Sequence, residues 1–486
     1  MGDSIQENCG IGIGRTLHDA YSFTKSLQHR GREAVGLYAV GYRRIDAMKW
    51  IGTVDSFDVQ SLEDDIFPSH SHGYHTFVFH VRYATKGGKD QESILEGAHP
   101  QVIGGKIENR GNHIIIRDCE AALVFNGQIN LEYFESINEE VKGRESDTEC
   151  LLHYIKKEGA RKLIENIPGA FTLAFADKAK DGIIITKDRL GMRPGALGFK
   201  GGKYCMASED IALRKNGANF VKELEAGCIH YLLPDGGYYK EEIISSRPKH
   251  CFFEWNYLSD VDSRFGGRDV RSVREALGEV LAEEFNPHDA DYVTFLPRCP
   301  EISARVYAEK LGIPFKHLFY KIRKERSFQG STQNEREGSI KANLHLLPEI
   351  DGRPIEEFLR GKTVILIDDS TIRATNSKRA RELLYHKAGI KKAYLVNYTP
   401  QIGVIGEDGI ERGCLFGVDM PPGDKFVAIY NYNDGKKRNR TLEEISEEIG
   451  MPVFYISKEG MYRAFELAGI SRENLCSFCI GGKHPF

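Results

Sequence analysis

Two adjacent carboxylates, Asp368 and Asp369, end the apolar run Val364–Ile367 and open a turn that runs from Ser370 to Ser377. Four successive apolar residues read as a strand buried on both faces. Ala380, Leu383 and Leu384, beyond the turn, have helical spacing. The turn itself carries the hydroxyls and amides of Ser370, Thr371, Thr375, Asn376 and Ser377. Such a turn between strand and helix offers backbone N–H groups to a phosphate. The paired carboxylates would repel that phosphate, and their chemistry suits ribose hydroxyls and a Mg²⁺ ion instead. A plain βα turn would need only one carboxylate, as a helix cap.

Thiols form the second set of reactive residues. Cys251 begins CFFEWNY, Cys414 lies in GCLFGVD, and Cys476 and Cys479 form CSFC close to the last residue. A CxxC pair serves zinc and redox chemistry alike. Cys119, Cys150, Cys205 and Cys228 have no ligand spacing and read as core. Cys9 heads CGIGIG, and LQHRGREAVGLY, HVRYATKG, ALVFNGQI and ESDTE follow it in that order. A third feature is the polar, cation-rich segment 321–337, KIRKERSFQGSTQNERE, in which Arg323, Lys324 and Arg326 could close over a pyrophosphate as a lid.

The strand–Asp–Asp–turn order resembles the phosphoribosyl-pyrophosphate (PRPP) motif of type I phosphoribosyltransferases. It implies PRPP binding by Asp368, Asp369, Ser370, Arg373, Ala374, Thr375, Asn376 and Ser377, with Mg²⁺ on the two Asp. The five N-terminal motifs resemble class II glutamine amidotransferases with an N-terminal nucleophile. Cleaving an amide needs a nucleophile, a base and an oxyanion hole. The resemblance gives these roles to the Cys9 thiol, to its own α-amino group (pKa ~7.7–8.0), and to Asn126 with Gly127. That base exists only after cleavage between Asn8 and Cys9, so residues 1–8 are expected to be a propeptide. Arg82 would grip the glutamine α-carboxylate and Asp147 its α-amino group.

As a whole the chain resembles the amidophosphoribosyltransferase family, in its iron–sulfur-containing branch. That implies a [4Fe–4S] cluster on Cys251, Cys414, Cys476 and Cys479, with structural zinc the alternative, and a flexible loop contributing Arg326. It implies that glutamine is hydrolysed at Cys9 and that ammonia passes through a shielded channel to displace pyrophosphate from C1 of PRPP. The product would be 5-phosphoribosylamine, the first step of purine synthesis. A homotetramer inhibited by purine nucleotides is expected on the same ground. Two other readings stay open: ammonia delivered to a different acceptor, and a non-catalytic sensor of PRPP or of the cluster.

Short strands with Gly, Asn or Asp at their ends fill the N-terminal half, with helices over TECLLHYIKKEG and ARKLIENI. This predicts a layered αββα sandwich of the N-terminal-nucleophile type. From Asp269 the pattern alternates: a helix through Val273, Ala276, Leu277, Val280 and Leu281, the strand YVTFL, the helix EISARVYAEKLG and a strand over IPFKHLFY. Alternation predicts a parallel sheet of phosphoribosyltransferase type, with ligand at the carboxyl ends of its strands. The expected segments are 1–8, 9–235 (glutamine), a junction 236–267, 268–455 (PRPP) and a tail 456–486 with two of the cluster cysteines. At 486 residues, 41% hydrophobic and 28% charged, the chain can fill such cores, and its net charge of −4 argues against nucleic acid or membrane as a bulk partner. No apolar run approaches the ~20 residues of a membrane span, and MGDSIQEN lacks a signal peptide's apolar centre, so a cytoplasmic location is expected.

Three departures from the family pattern fall on the chemistry. Pro297-Arg298-Cys299-Pro300 stands where PDSG is usual, so that Cys299 replaces a Mg²⁺-binding hydroxyl and Pro300 removes an N–H. Ala374 and Asn376 stand where the PRPP turn has Gly and Thr. DRLGMRP, residues 188–194, replaces DPHGIRP, a segment expected to bear on communication between the two halves.

Overall fold

The fold is that of a computed structural model, which describes residues 9–67, 73–83, 90–129, 134–136, 146–297, 299–322 and 343–486. Among these residues nine strands form one sheet and six form another. Inside the larger sheet β1 (Gly10–Gly14) lies antiparallel to Lys203–Ala207 on one side and, on the other, to the central strand β4 (Tyr74–Arg82). β2 (Ala34–Gly41) and β3 (Arg44–Ile51) extend the sheet beyond β4. The smaller sheet is built around β5 (Ala121–Ile129) and β6 (Gly169–Asp177).

The Gly/Ile alternation of β1 follows from what lies on its two faces. Ile11 and Ile13 pack between the sheets with Tyr38, Val78, Val124 and Ala174. The glycines face helix α1 (Leu17–Ser26), where a Cβ on Gly12 would lie 2.2 Å from the Thr24 hydroxyl and one on Gly14 2.4 Å from the Ala20 nitrogen. Residues without a side chain let the helix lie on the strand that carries Cys9. Leu17, Ala20 and Phe23 of α1 cover Leu37, Phe77 and Phe79. On the far side α2 (Asp147–Glu158) and α3 (Ala160–Asn166) place Leu151, Ile155 and Leu163 on Leu123, Phe171 and Leu173. Helix, sheet, sheet, helix is the predicted layering.

In the C-terminal half, β7 (Tyr292–Phe295), β8 (Thr363–Asp368), β9 (Lys392–Asn397) and β10 (Val453–Tyr455) lie parallel in that spatial order. Val364 and Leu366 of β8 pack with Ala380 and Leu384, whereas Ile365 and Ile367 pack with Val273, Leu277 and Ala304 on the opposite face. All four β8 side chains are fully buried, each worth ~1.5–3 kcal/mol of hydrophobic stabilisation. Helices α4 (Val270–Glu284), α5 (Glu301–Leu311), α6 (Thr375–Glu382), α7 (Leu442–Ile449) and α8 (Lys458–Leu467) supply the cover.

One predicted strand comes out differently. IPFKHLFY joins the sheet only at Phe315, where Pro314 O and the Lys316 N–H bond Val293. Pro314 has no N–H with which to extend the ladder. The chain then turns away, and Phe319–Lys321 pairs antiparallel with Leu344–Leu346 outside the sheet. The junction is held by a two-residue parallel pairing of His250–Cys251 with Leu475–Cys476.

Candidate functional site

Cys9 leads into β1, where its carbonyl accepts from Arg30 Nε at 3.2 Å. Burial raises its thiol pKa, while the Tyr83 N–H and the guanidinium groups of Arg82 and Arg30 act in the opposite direction. Arg82 is the last residue of β4, and its guanidinium donates to Ile94 O at 3.2 Å and meets Glu33 at 3.4 Å. Gly97 leaves room for it, since a Cβ there would lie 2.6 Å from Arg82 Nη2. Asn126 lies on β5, and its Nδ2 is buried with no hydrogen-bond partner among the described residues. A buried donor without a partner is costly unless a ligand supplies the acceptor. Gly127 is sterically required, because a Cβ there would lie 2.0 Å from Ala170 O on β6. Asp147 opens α2 and accepts from the Thr148 hydroxyl at 3.3 Å.

Sequence reading missed the groups that join these residues. The Phe125 N–H donates to His99 Nδ1 and the Phe125 carbonyl accepts from His80 Nε2, both at 3.1 Å. His99 Nε2 in turn lies 3.2 Å from the Thr148 hydroxyl. Burial keeps both imidazoles neutral, lowering His80 to about 3 and His99 well below its ordinary range. The available signal was polar residues in apolar runs, as in FVFHVR.

A buried ion network extends from this site toward the C-terminal half. Arg30 donates to Glu209 at 2.8 Å and to Glu254 at 3.1 Å, and Arg193 meets Glu254 at 3.3 Å. These four side chains are at most 1% exposed. Ser259 and Ser263 add hydroxyl donors to Glu254 and Glu209. Arg193, from the DRLGMRP segment, also donates to the Phe416 carbonyl.

At the C-terminal end of β8, Asp368 and Asp369 are buried, and the Asp369 N–H donates to Asp368 Oδ1 at 2.9 Å. Burial raises the Asp369 pKa to about 6, against the Ser370 hydroxyl (2.8 Å from Oδ2) and the charge of Lys321. Thr371 donates to Asn397 on the neighbouring strand at 2.7 Å. Ala374 takes φ 61° and ψ 14°, a left-handed conformation that suits glycine. Thr375, Asn376 and Ser377 form the first turn of α6, and the Ser377 hydroxyl is buried without a partner among the described residues. Arg373 pairs with Asp424 and donates to Asp419 O at 3.0 Å. A cleft of about 670 Å³ opens there, between Arg373, Thr375, Lys425 and Arg440. The Cys299 thiol donates to Tyr257 O at 3.3 Å, and Pro300 is the N-cap of α5. Arg298, Arg323, Lys324 and Arg326, and the leader 1–8, lie outside the described residues.

Cys251, Cys414, Cys476 and Cys479 line one small apolar cavity with Met192, Phe252 and Phe416. Cys414 Sγ accepts from the N–H groups of Phe416 (3.3 Å) and Val418 (3.4 Å), the backbone pattern that suits a metal-bound thiolate. Burial raises the pKa of all four thiols, which therefore ionise only with a cation to compensate. Among the described residues no three His, Cys, Asp or Glu side chains converge on a single ion. The donor set fits an iron–sulfur cluster: four soft sulfurs around one cavity. Cys119, Cys150, Cys205 and Cys228 are buried elsewhere, as core.

Residues 106–245 match the model of a glutamine amidotransferase domain. The chain is 30% identical to the amidophosphoribosyltransferase of Methanocaldococcus jannaschii, over 95% of this chain and 92% of that protein. It is 28% identical to that of Bacillus subtilis, over 99% and 94%. Among solved structures it resembles the B. subtilis glutamine PRPP amidotransferase complexed with ADP and GMP, with a TM-score of 0.77, 26% identity and coverage of 98% of this chain and 97% of that one. A structure described as the allosteric regulatory enzyme of purine biosynthesis gives a TM-score of 0.76 at 26% identity, over 98% and 96%.

Proposed function

Since the chain belongs to the amidophosphoribosyltransferase family, we propose that it makes 5-phosphoribosylamine from PRPP and glutamine with the residues assigned below. Carrying this reading is the presence on one chain of two sets of groups, one around Cys9 and one around Asp368.

In the sandwich, Cys9 is the nucleophile and its α-amino group, freed by removal of residues 1–8, takes the thiol proton and returns it to the leaving ammonia. Asn126 Nδ2 and the Gly127 N–H stabilise the oxyanion, and the partnerless Asn126 amide supports this. Arg82 and Asp147 hold the α-carboxylate and α-amino group of glutamine. At the sheet, the N–H groups and hydroxyls of Thr375, Asn376 and Ser377 hold the 5-phosphate of PRPP, and Asp368 and Asp369 orient the ribose. The same two carboxylates would hold Mg²⁺, which supplies charge neutralisation at the departing pyrophosphate. Ammonia adds at C1 as the C1–O bond to pyrophosphate breaks. Carrying it through protein keeps it from being protonated in water.

Cys251, Cys414, Cys476 and Cys479 would hold a [4Fe–4S] cluster, with zinc the rival, cross-linking the junction, the sheet domain and the tail. Purine nucleotides as inhibitors are supported by the ADP and GMP in the B. subtilis structure. A homotetramer and a cytoplasmic location complete the reading.

The test is glutamate and pyrophosphate release by anaerobically purified protein, with and without PRPP and Mg²⁺. Equimolar release, with glutamate release stimulated by PRPP, is expected. One observation favours a second reading, ammonia delivered to another acceptor: Pro300 offers no N–H and Cys299 no hard oxygen at the pyrophosphate loop. Glutamate release indifferent to PRPP would select it.

A further inference from the structure

Among the described residues the oxyanion strand runs short of a neighbour where its position matters most. On one edge β5 is paired with β6 through Phe125, Asn126 and Gly127. On the other, the strand Gln101–Ile103 pairs with Leu123, Ala122 and Ala121 and goes no further. Phe125 is fully buried, so its outward N–H and C=O need partners. They find imidazoles: His99 Nδ1 accepts from the N–H and His80 Nε2 donates to the carbonyl, each at 3.1 Å. Alternate residues of a strand direct their N–H groups to the same side, so the edge that these rings occupy at Phe125 is the edge toward which the Gly127 N–H points.

Chemistry fixes both tautomers. A backbone N–H can only donate, so His99 carries its proton on Nε2 and donates it in a hydrogen bond to the Thr148 hydroxyl oxygen at 3.2 Å. Thr148 then donates to Asp147 at 3.3 Å. A backbone carbonyl can only accept, so His80 is protonated on Nε2. The rings touch with centroids 4.2 Å apart and planes tilted by 33°. Gly36 lets the His99 backbone approach, because a Cβ there would lie 1.8 Å from His99 O.

We propose that His80 and His99 are positioning residues of glutamine hydrolysis. They replace the missing strand at Phe125 and so fix where Asn126 and Gly127 present their N–H groups. Through Thr148, His99 also sets the distance between that oxyanion hole and Asp147. The inference rests on the glutaminase reading above and adds to it two residues that touch neither substrate nor nucleophile.

Isosteric variants separate the functions. His80→Gln keeps a donor at the Nε2 position and His80→Phe keeps only the ring. His99→Asn keeps an acceptor near Nδ1 but not the reach to Thr148, and His99→Gln the reverse. Glutamine hydrolysis, affinity for the aldehyde analogue of glutamine, whose adduct with the thiol carries the oxyanion, and ammonia-dependent use of PRPP would be measured on each. His80→Phe is expected to lower kcat for glutamine ten- to a hundredfold at unchanged KM and to weaken aldehyde binding in parallel. His80→Gln should recover most of both. His99→Gln should behave like His80→Phe, whereas His99→Asn should act mainly on KM. Ammonia-dependent activity should not change in any of them. Wild-type kcat in His80→Phe, or equal losses in the ammonia-dependent reaction, overturns the clamp. If the unsubstituted protein, shown to begin at Cys9, neither hydrolyses glutamine nor binds the aldehyde, the glutaminase reading fails and takes the clamp with it.

Discussion

Asp369 carries opposing demands on one carboxyl group. Burial raises its pKa to about 6, so the folded protein binds a proton there that the unfolded chain, near 3.9, has released. The stability contributed by the protonated form is fully present below about pH 4 and is lost as pH rises through 6. The anion is what a ribose–Mg²⁺ complex requires. Asp369→Asn should therefore be more resistant to heat than the unsubstituted protein at about pH 8, with the difference shrinking toward pH 4. The same variant should lose protection by PRPP with Mg²⁺. A thermal-unfolding series across that range decides it, and a variant less stable at pH 8 would falsify the account. Ala374 is the converse case, a strain with no visible return. Its left-handed backbone costs ~1–2 kcal/mol, and glycine there would give back ~0.5–1 through the entropy of the unfolded chain. Ala374→Gly should thus gain about 0.5–1 kcal/mol by denaturant titration. A loss would mean that the Ala374 methyl contributes packing that outweighs the strain.

At the scale of elements, the Glu254 carboxylate joins Arg30, which touches the Cys9 carbonyl, to Arg193, which holds Phe416 beside the thiol cavity. Removing one member of a fully buried ion network leaves the others uncompensated, at a cost of ~3–5 kcal/mol. Glu254→Ala should destabilise by about that much, whereas Glu254→Gln, which keeps an acceptor, should cost less; urea unfolding followed by tryptophan fluorescence measures both. Equal stability of Glu254→Ala and the parent would show that the network contributes nothing. This network also marks where sequence reading stops. β8 with its Asp pair was legible because a strand buried on both faces is a continuous apolar run, whereas the packing of α1 on the β1 glycines was not, since nothing local in CGIGIG says what lies on that face. Arg30 and Glu254 are separated by 224 positions, and no local period encodes their meeting. His80 and His99 escaped for a related reason: their partners come from β5 and α2, while His80 looks locally like an apolar strand's stray polar residue and His99 like a loop residue before Pro100. IPFKHLFY was misread as a full strand because its apolar content describes burial, while Pro314 limits the pairing to Phe315.

On the scale of the molecule, the thiol cavity is where distant parts of the chain converge. Cys251 comes from the junction, Cys414 from the sheet domain and Cys476 with Cys479 from the tail, and the pairing of His250–Cys251 with Leu475–Cys476 is only two residues long. Two residues of ladder cannot hold a tail against the entropy of its release, at ~1–2 kcal/mol per residue ordered. Apolar contacts of Phe478 and Ile480 help, and a four-sulfur centre would add a cross-link across segments 225 residues apart, Cys251 to Cys476. Protein purified without oxygen is accordingly expected to contain iron and acid-labile sulfide in equal amounts, about four of each per chain, with visible absorbance that Cys414→Ser abolishes. The loss should be felt far from the cavity. Phe416, whose N–H faces Cys414 Sγ and whose carbonyl faces Arg193, passes any shift to the ion network under Cys9. Cys414→Ser is expected to lower the unfolding temperature of the whole chain in one transition and to raise proteolysis of the segment after Leu475. One zinc per chain with no sulfide would replace the cluster by a structural ion, and a Cys414→Ser protein with unchanged melting and an intact tail would remove the cavity from the stability of the fold altogether.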